Sequence, residues 1–180
     1  TGKLIAIHFF NDDSVSWTYV DFCLAMAAEF RRNLAGTPLG TNSKTMVEDL
    51  TQAIKRLPLA SYDVVMLSLV LSSMPTLPDF APIAQLLDSG GSLIVTDINP
   101  GYTHDNPLYK VAVEGSVAAL WTTPVDPYEV IRRAAAAGLH ATEQKMIGEG
   151  NAYYSFLTVF TPITLCPTDE ERDDKSLIRM

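Results

Sequence analysis

The residues best suited to chemistry here are acids placed where β-favouring runs end, together with one histidine set among aromatics. Trp17 to Val20 is a run of aromatic and β-branched residues, and from Ala25 onward good helix formers follow, so Asp21 stands where a strand gives way to a helix. At the carboxyl end of a strand in an open α/β sheet, a carboxylate can accept hydrogen bonds from both hydroxyls of an adenosyl ribose. The same residue ahead of a helix can instead serve as its cap. Asp49 follows the short run Thr45, Met46, Val47 and has the same two options, binding or capping. Asp97 closes the apolar run from Ser92 to Thr96 and either reaches a ligand or is solvated in a loop. His104 is the one candidate general base, required only if an acceptor must lose a proton; the alternative is a solvated loop histidine. Around it, Tyr102, Tyr109 and Trp121 could wall an apolar pocket with polar handles, or pack their segment against the sheet. No His/Cys/Asp/Glu cluster has metal-ligand spacing, and no Gly-x-Ser-x-Gly elbow occurs.

These residues must be positioned by elements that the sequence outlines in order. Residues 3–10 form an apolar run read as a helix, because the turn at 11–14 is too short for a crossover between parallel strands. A strand ending at Asp21 and a helix ending near Leu34 follow, stopped by the turn at 35–40. After a short strand at 45–47, a helical turn runs over 51–57 and breaks at Pro58. The continuous apolar run 62–68 predicts a strand covered on both faces. A helix is expected over 79–87, ended by Gly90 and Gly91, and a second buried strand over 92–97. Asp126 and Pro127 open another helix as cap and first-turn proline, running to Gly138. Strands over 139–147 and 153–160 join across a hairpin turn. The alternation of strands and helices implies an open parallel sheet.

Whole-chain composition narrows the function classes. With 180 residues, 47% of them hydrophobic, the chain fits one domain with a sizeable core. That domain is expected over 1–162, with 163–180 as a charged, disordered tail. A formal net charge of -8 with no Lys/Arg cluster argues against nucleic-acid binding. Two distant cysteines, Cys23 and Cys166, suggest a reduced, cytoplasmic setting. No apolar run approaches the roughly 20 residues that span a bilayer, so no membrane partner is expected.

In its order of elements and local motifs the chain resembles the class I S-adenosylmethionine-dependent methyltransferases, small-molecule branch. Asp21-Phe22-Cys23-Leu24-Ala25-Met26 is similar to that family's second-strand motif of Asp, apolar, Ser, two residues and Met, with Cys23 replacing Ser. Val47-Glu48-Asp49-Leu50 resembles the third-strand motif whose acid meets the adenine amino group. The run from Tyr62 to Ser68 and on to Met74 resembles the fourth strand and its loop, and Gly90 to Asp97 the turn and fifth strand. The resemblance implies a Rossmann-like, doubly wound, mostly parallel sheet with a C-terminal antiparallel hairpin. It implies S-adenosyl-L-methionine held by Gly2, Asp21, Phe22, Met26, Asp49, Leu50 and Ser68, and a small-molecule acceptor near Tyr102, Tyr109, Trp121 and His104. Met26 could equally be core filler.

One departure stands at the front. Thr1-Gly2 resembles only the last two residues of the family's glycine-rich turn, so a chain beginning inside that motif, without the first strand, is expected. That strand would lie between those ending at Asp21 and Ser68, and its loss would leave unpaired backbone on both. Two other functions stay open. A nicotinamide-dependent oxidoreductase would use the same acid but lacks a Tyr-x-x-x-Lys pair, and a non-catalytic member would keep the sheet as an interaction module.

Overall fold

The computed structural model describes residues 9–105, 108–113, 116–149 and 152–163. Strand β1 (Trp17–Asp21) pairs in parallel with β2 (Ser43–Val47), Trp17 opposite Ser43 and Asp21 opposite Val47. Between them helix α1 (Leu24–Leu34) buries Ala27, Phe30 and Leu34, a helical stripe. This stripe packs with Leu39 of the short helix α2 (Pro38–Thr41) and with Trp17 and Tyr19. The Tyr19 and Phe30 rings stack with centroids 4.1 Å apart. Gly36, at φ +78°, turns the chain out of α1, and Thr37 caps α2 by accepting from the Gly40 N–H.

The larger sheet has the order β3-β4-β8-β7, formed by β3 (Tyr62–Ser68), β4 (Leu87–Ile98), β7 (Leu139–Glu149) and β8 (Ala152–Pro162). β3 and β4 are parallel, whereas β8 is antiparallel to both β4 and β7. Helix α3 (Leu50–Ala53) and a 3₁₀ turn (Ile54–Arg56) lead into β3, and helix α4 (Ala81–Ala84) into β4. Beyond β4 come helix α5 (Pro100–Asp105) and a separate hairpin of β5 (Leu108–Val113) and β6 (Ser116–Trp121). Helix α6 (Pro127–Ala136) lays Val130 and Ala134 into the main core beside Leu93, Val95, Phe156 and Phe160. Among the described residues no helix is long and apolar enough to cross a membrane.

The fold is α/β as the alternation predicts, but the sheet is mixed rather than mostly parallel. The two parallel pairs fall in different sheets, and the C-terminal hairpin adds antiparallel strands beside β4. β3 is also not a covered central strand. It pairs only with β4 among the described residues, and Asp63 and Val64 are exposed, Val64 at 52%. β1 likewise pairs only with β2, so each has one edge without a strand partner among the described residues. The helix expected over 79–87 is limited to α4, because Leu87 is drawn into pairing with Tyr62. Gly90 and Gly91 consequently sit inside β4, at an irregular register, instead of ending a helix. A Cβ on Gly91 would lie 2.7 Å from the Tyr62 carbonyl oxygen, so only glycine allows this close approach. The helix read over 3–10 and the tail at 163–180 fall almost wholly outside the described residues.

Candidate functional site at the carboxyl ends of the strands

Asp21 is the last residue of β1 and is half-buried. Its Oδ2 accepts from the Tyr19 hydroxyl at 2.8 Å, and its Oδ1 from the Cys23 N–H at 2.8 Å. It therefore closes the turn ahead of α1, whose cap residue Cys23 makes no side-chain capping bond. An ionised carboxylate offers about four lone-pair positions, and two of Asp21's are engaged by these donors. Burial first, and then the Asp21 carboxylate, push the Tyr19 phenol well above its ordinary range, so Tyr19 donates as a neutral group. Beside Asp21 the apolar side chains of Phe22, Leu24 and Met26 are exposed, at 74%, 66% and 51%. The core alternative for Met26 is thereby overturned: it lies off the Ala27–Phe30–Leu34 stripe.

The backbone joins Asp21 to the residue before the second acid, since the Glu48 N–H donates to the Asp21 carbonyl at 3.1 Å. Asp49 is exposed and caps α3: its Oδ1 accepts from the Thr51 N–H at 2.9 Å and from the Thr51 hydroxyl. The Thr51 hydroxyl, then the backbone N–H, hold this carboxyl below its usual range. Leu50 is partly buried against the main core. Ser68 ends β3, and its buried Oγ has no partner among the described residues. The next residue, Leu69, is held at φ +55°, a left-handed conformation costly for a leucine, while its N–H donates to the Thr96 carbonyl. Asp97 is fully buried, and neither option read from the sequence describes it. Its Oδ2 accepts from the Ser72 N–H at 3.1 Å and its Oδ1 from the Ile98 N–H at 2.8 Å, which fastens the 3₁₀ turn Leu71–Ser73 to the end of β4.

The acceptor-side residues are less gathered. His104 lies on α5 with its side chain 87% exposed, and its Nδ1 is 3.1 Å from the Oδ1 of the adjacent Asp105. Tyr102 meets Tyr154 edge to face, with centroids 5.9 Å apart. Tyr109 and Trp121 lie on β5 and β6, opposite Leu120 and Leu108, and their side chains fall outside the described residues, as does Gly2.

Two residues past Asp97 a groove of about 460 Å³ opens that sequence reasoning did not anticipate. It lies between the starts of α5 and α6 and the distal part of the β7–β8 hairpin, lined by Asn99, Pro100, Tyr128, Gln144, Met146 and Tyr153 among others. Because β8 runs antiparallel to β4, with Ser155 opposite Ile98, the hairpin's closed end stands at the carboxyl end of β4. The available signal was Tyr153 beside a hairpin turn and Tyr128 just past a helix cap, which only the strand register brings together. A smaller cavity of about 230 Å³, lined by Phe30, Leu34 and Thr45 among others, lies between α1 and β2 and includes none of the strand-end acids.

No protein-family model matches the sequence, and no curated protein matches it. Solved structures do match. A protein of Listeria monocytogenes assigned to the S-adenosylmethionine-dependent methyltransferases superposes with a TM-score of 0.59 at 13% identity, over 89% of this chain and 98% of that one. An S-adenosylmethionine-dependent methyltransferase of Mesorhizobium loti gives 0.58 at 13% identity, over 79% and 78%. The protein of a DhpI–SAM–HEP complex gives 0.52 at 16% identity, over 81% and 67%. The chain thus has the α/β fold found in S-adenosylmethionine-dependent methyltransferases.

Proposed function

We propose that this protein is an S-adenosylmethionine-dependent methyltransferase acting on a small organic acceptor. The observation that carries the reading is Asp21: a half-buried carboxylate with lone pairs to spare, closing β1 within a methyltransferase fold. In this reading Asp21 holds the ribose hydroxyls, and the exposed Phe22 and Met26 lie along the adenine. Asp49 and Leu50 approach the adenine edge, the orphaned Ser68 hydroxyl gains a partner, and Gly2 lies by the methionine end. These polar groups and apolar surfaces fit such a ligand, whose sulfonium supplies an electrophilic methyl group.

The protein's own contribution is to hold the acceptor in line with that methyl. The turn Leu71–Ser73, fastened by buried Asp97, is a rigid wall for this purpose at the ends of β3 and β4. Tyr102, Tyr109 and Trp121 remain proposed acceptor contacts. His104 is exposed enough to pass a proton to water if the acceptor carries one.

Calorimetric titration with S-adenosylhomocysteine and, separately, with NAD tests the reading. Binding of the first alone is the expected result. Binding of NAD alone would replace the reading with an oxidoreductase, and a folded chain silent to both would leave a non-catalytic interaction module.

A further inference from the structure

We infer that the groove between α5, α6 and the β7–β8 hairpin binds an uncharged, flat aromatic molecule carrying hydrogen-bonding groups. The inference concerns binding and holds whether or not methyl transfer is the reaction. Its volume, about 460 Å³, falls in the range of roughly 300 to 1,000 Å³ typical of small-molecule sites. Its walls are flat and soft. Tyr128 and Tyr153 present rings that are 72% and 55% exposed, with Met146 and Pro100 beside them. Packing of α6 does not require Tyr128 there: the helix buries Pro127, Val130 and Ala134, and Tyr128 lies off that stripe.

The polar groups select for hydrogen bonds without charge. The Gln144 side-chain amide has no partner among the described residues. Asn99 uses its Oδ1 for the Gly101 N–H at 2.8 Å and leaves its Nδ2 without a partner there. Among the described residues of the lining the one carboxylate, Asp126, accepts from the Tyr128 N–H as the cap of α6. The positive amino end of α6 compensates this carboxylate, and no Lys or Arg stands among the described residues of the lining, so an anion meets no net positive charge there. A cation gains little either, because the positive amino end of α6 offsets the same carboxylate.

The test is two-dimensional NMR of the labelled full chain with 4-methylphenol, and in parallel with 4-methylbenzoate and 4-methylbenzylamine. The phenol should shift the amides of Gly101, Gln144 and Met146 saturably and bind at least about tenfold more tightly than either ion. Tyr153→Ala and Gln144→Ala should each weaken it roughly three- to tenfold with an unchanged melting temperature, since both residues are exposed. Absence of saturable shifts at the groove, equal or tighter binding of either ion, or full affinity in both variants overturns the inference. The S-adenosylhomocysteine titration is read separately. Phenol binding without it sinks the methyl-transfer reading alone, and the reverse sinks only this one.

Discussion

At the level of single residues Asp21 carries two loads, a turn and a proposed ligand, and substitutions can separate them. Asp21→Ala removes the acceptor of both the Tyr19 hydroxyl and the Cys23 N–H, so stability and binding should fall together. Asp21→Asn keeps an amide oxygen for the Cys23 turn while losing the charge. It should weaken S-adenosylhomocysteine by about 1 to 3 kcal/mol, the worth of a charged hydrogen-bond partner, with a smaller drop in melting temperature. Calorimetry showing native affinity in Asp21→Asn would reduce Asp21 to a turn former. Tyr19 adds a pH test. Its folded pKa is raised above the ordinary value of 10.0, so the folded chain retains a proton that the unfolded chain releases. Its contribution is therefore complete below pH 10 and is lost progressively as pH rises from there toward the folded pKa. Denaturant melts between pH 8 and about 11 should show a shallower alkaline decline in Tyr19→Phe than in the parent; parallel declines would contradict the shift. Asp21 was legible from the sequence because a change of propensity marks a strand end. The groove was not, because Tyr128, Gln144 and Tyr153 are brought together by hairpin register alone.

Elements were legible wherever a local signal ended them, and misread where tertiary pairing overrode it. The cap at Asp126 and the first-turn Pro127 fixed the start of α6. The 79–87 stretch ends in the helix formers Ala84, Gln85, Leu86 and Leu87, yet backbone pairing of Leu87 with Tyr62 takes its end into β4. That pairing depends on Gly91. An alanine there would set its Cβ against the Tyr62 carbonyl and the Asp88 backbone, atoms that cannot rotate away. Gly91→Ala should destabilise the protein by roughly 1 to 3 kcal/mol, as overpacking at a tight contact does, whereas Gly90→Ala, where nothing lies within 4 Å of a Cβ, should be much milder. Chemical denaturation of the two variants compares them directly, and equal losses would place the constraint elsewhere. Asp97 is the corresponding device at the other end of β4. Asp97→Ala strands the Ser72 N–H, on a residue only 4% exposed, and should lose about 1 to 3 kcal/mol. Full stability in that variant would mean that the turn Leu71–Ser73 holds itself.

Across the whole molecule, the order of strands and helices could be read along the chain, but the division into sheets could not. A run such as 62–68 signals burial on both faces, while which strands actually flank it is a non-local matter. The described residues form two apolar centres of unequal size. The main cluster joins the four-stranded sheet to α4 and α6, and the smaller one consists of Phe30, Leu34 and Leu39 with aromatic neighbours from β1. A two-stranded sheet is marginal by itself and depends on its packed helix. The unit of β1, α1 and β2 should therefore open more readily than the rest, and the proposed ligand acid Asp21 belongs to it. Hydrogen exchange followed by mass spectrometry should find peptides over 17–21 and 43–47 opening at a free energy on the order of 2 kcal/mol below those over 92–98 and 155–160. Saturating S-adenosylhomocysteine should then slow exchange chiefly in the first pair, because a ligand stabilises the form that binds it and its acid closes β1. Uniform protection across all four peptides would show one cooperative unit, and ligand protection confined to the second pair would move the cofactor site away from Asp21.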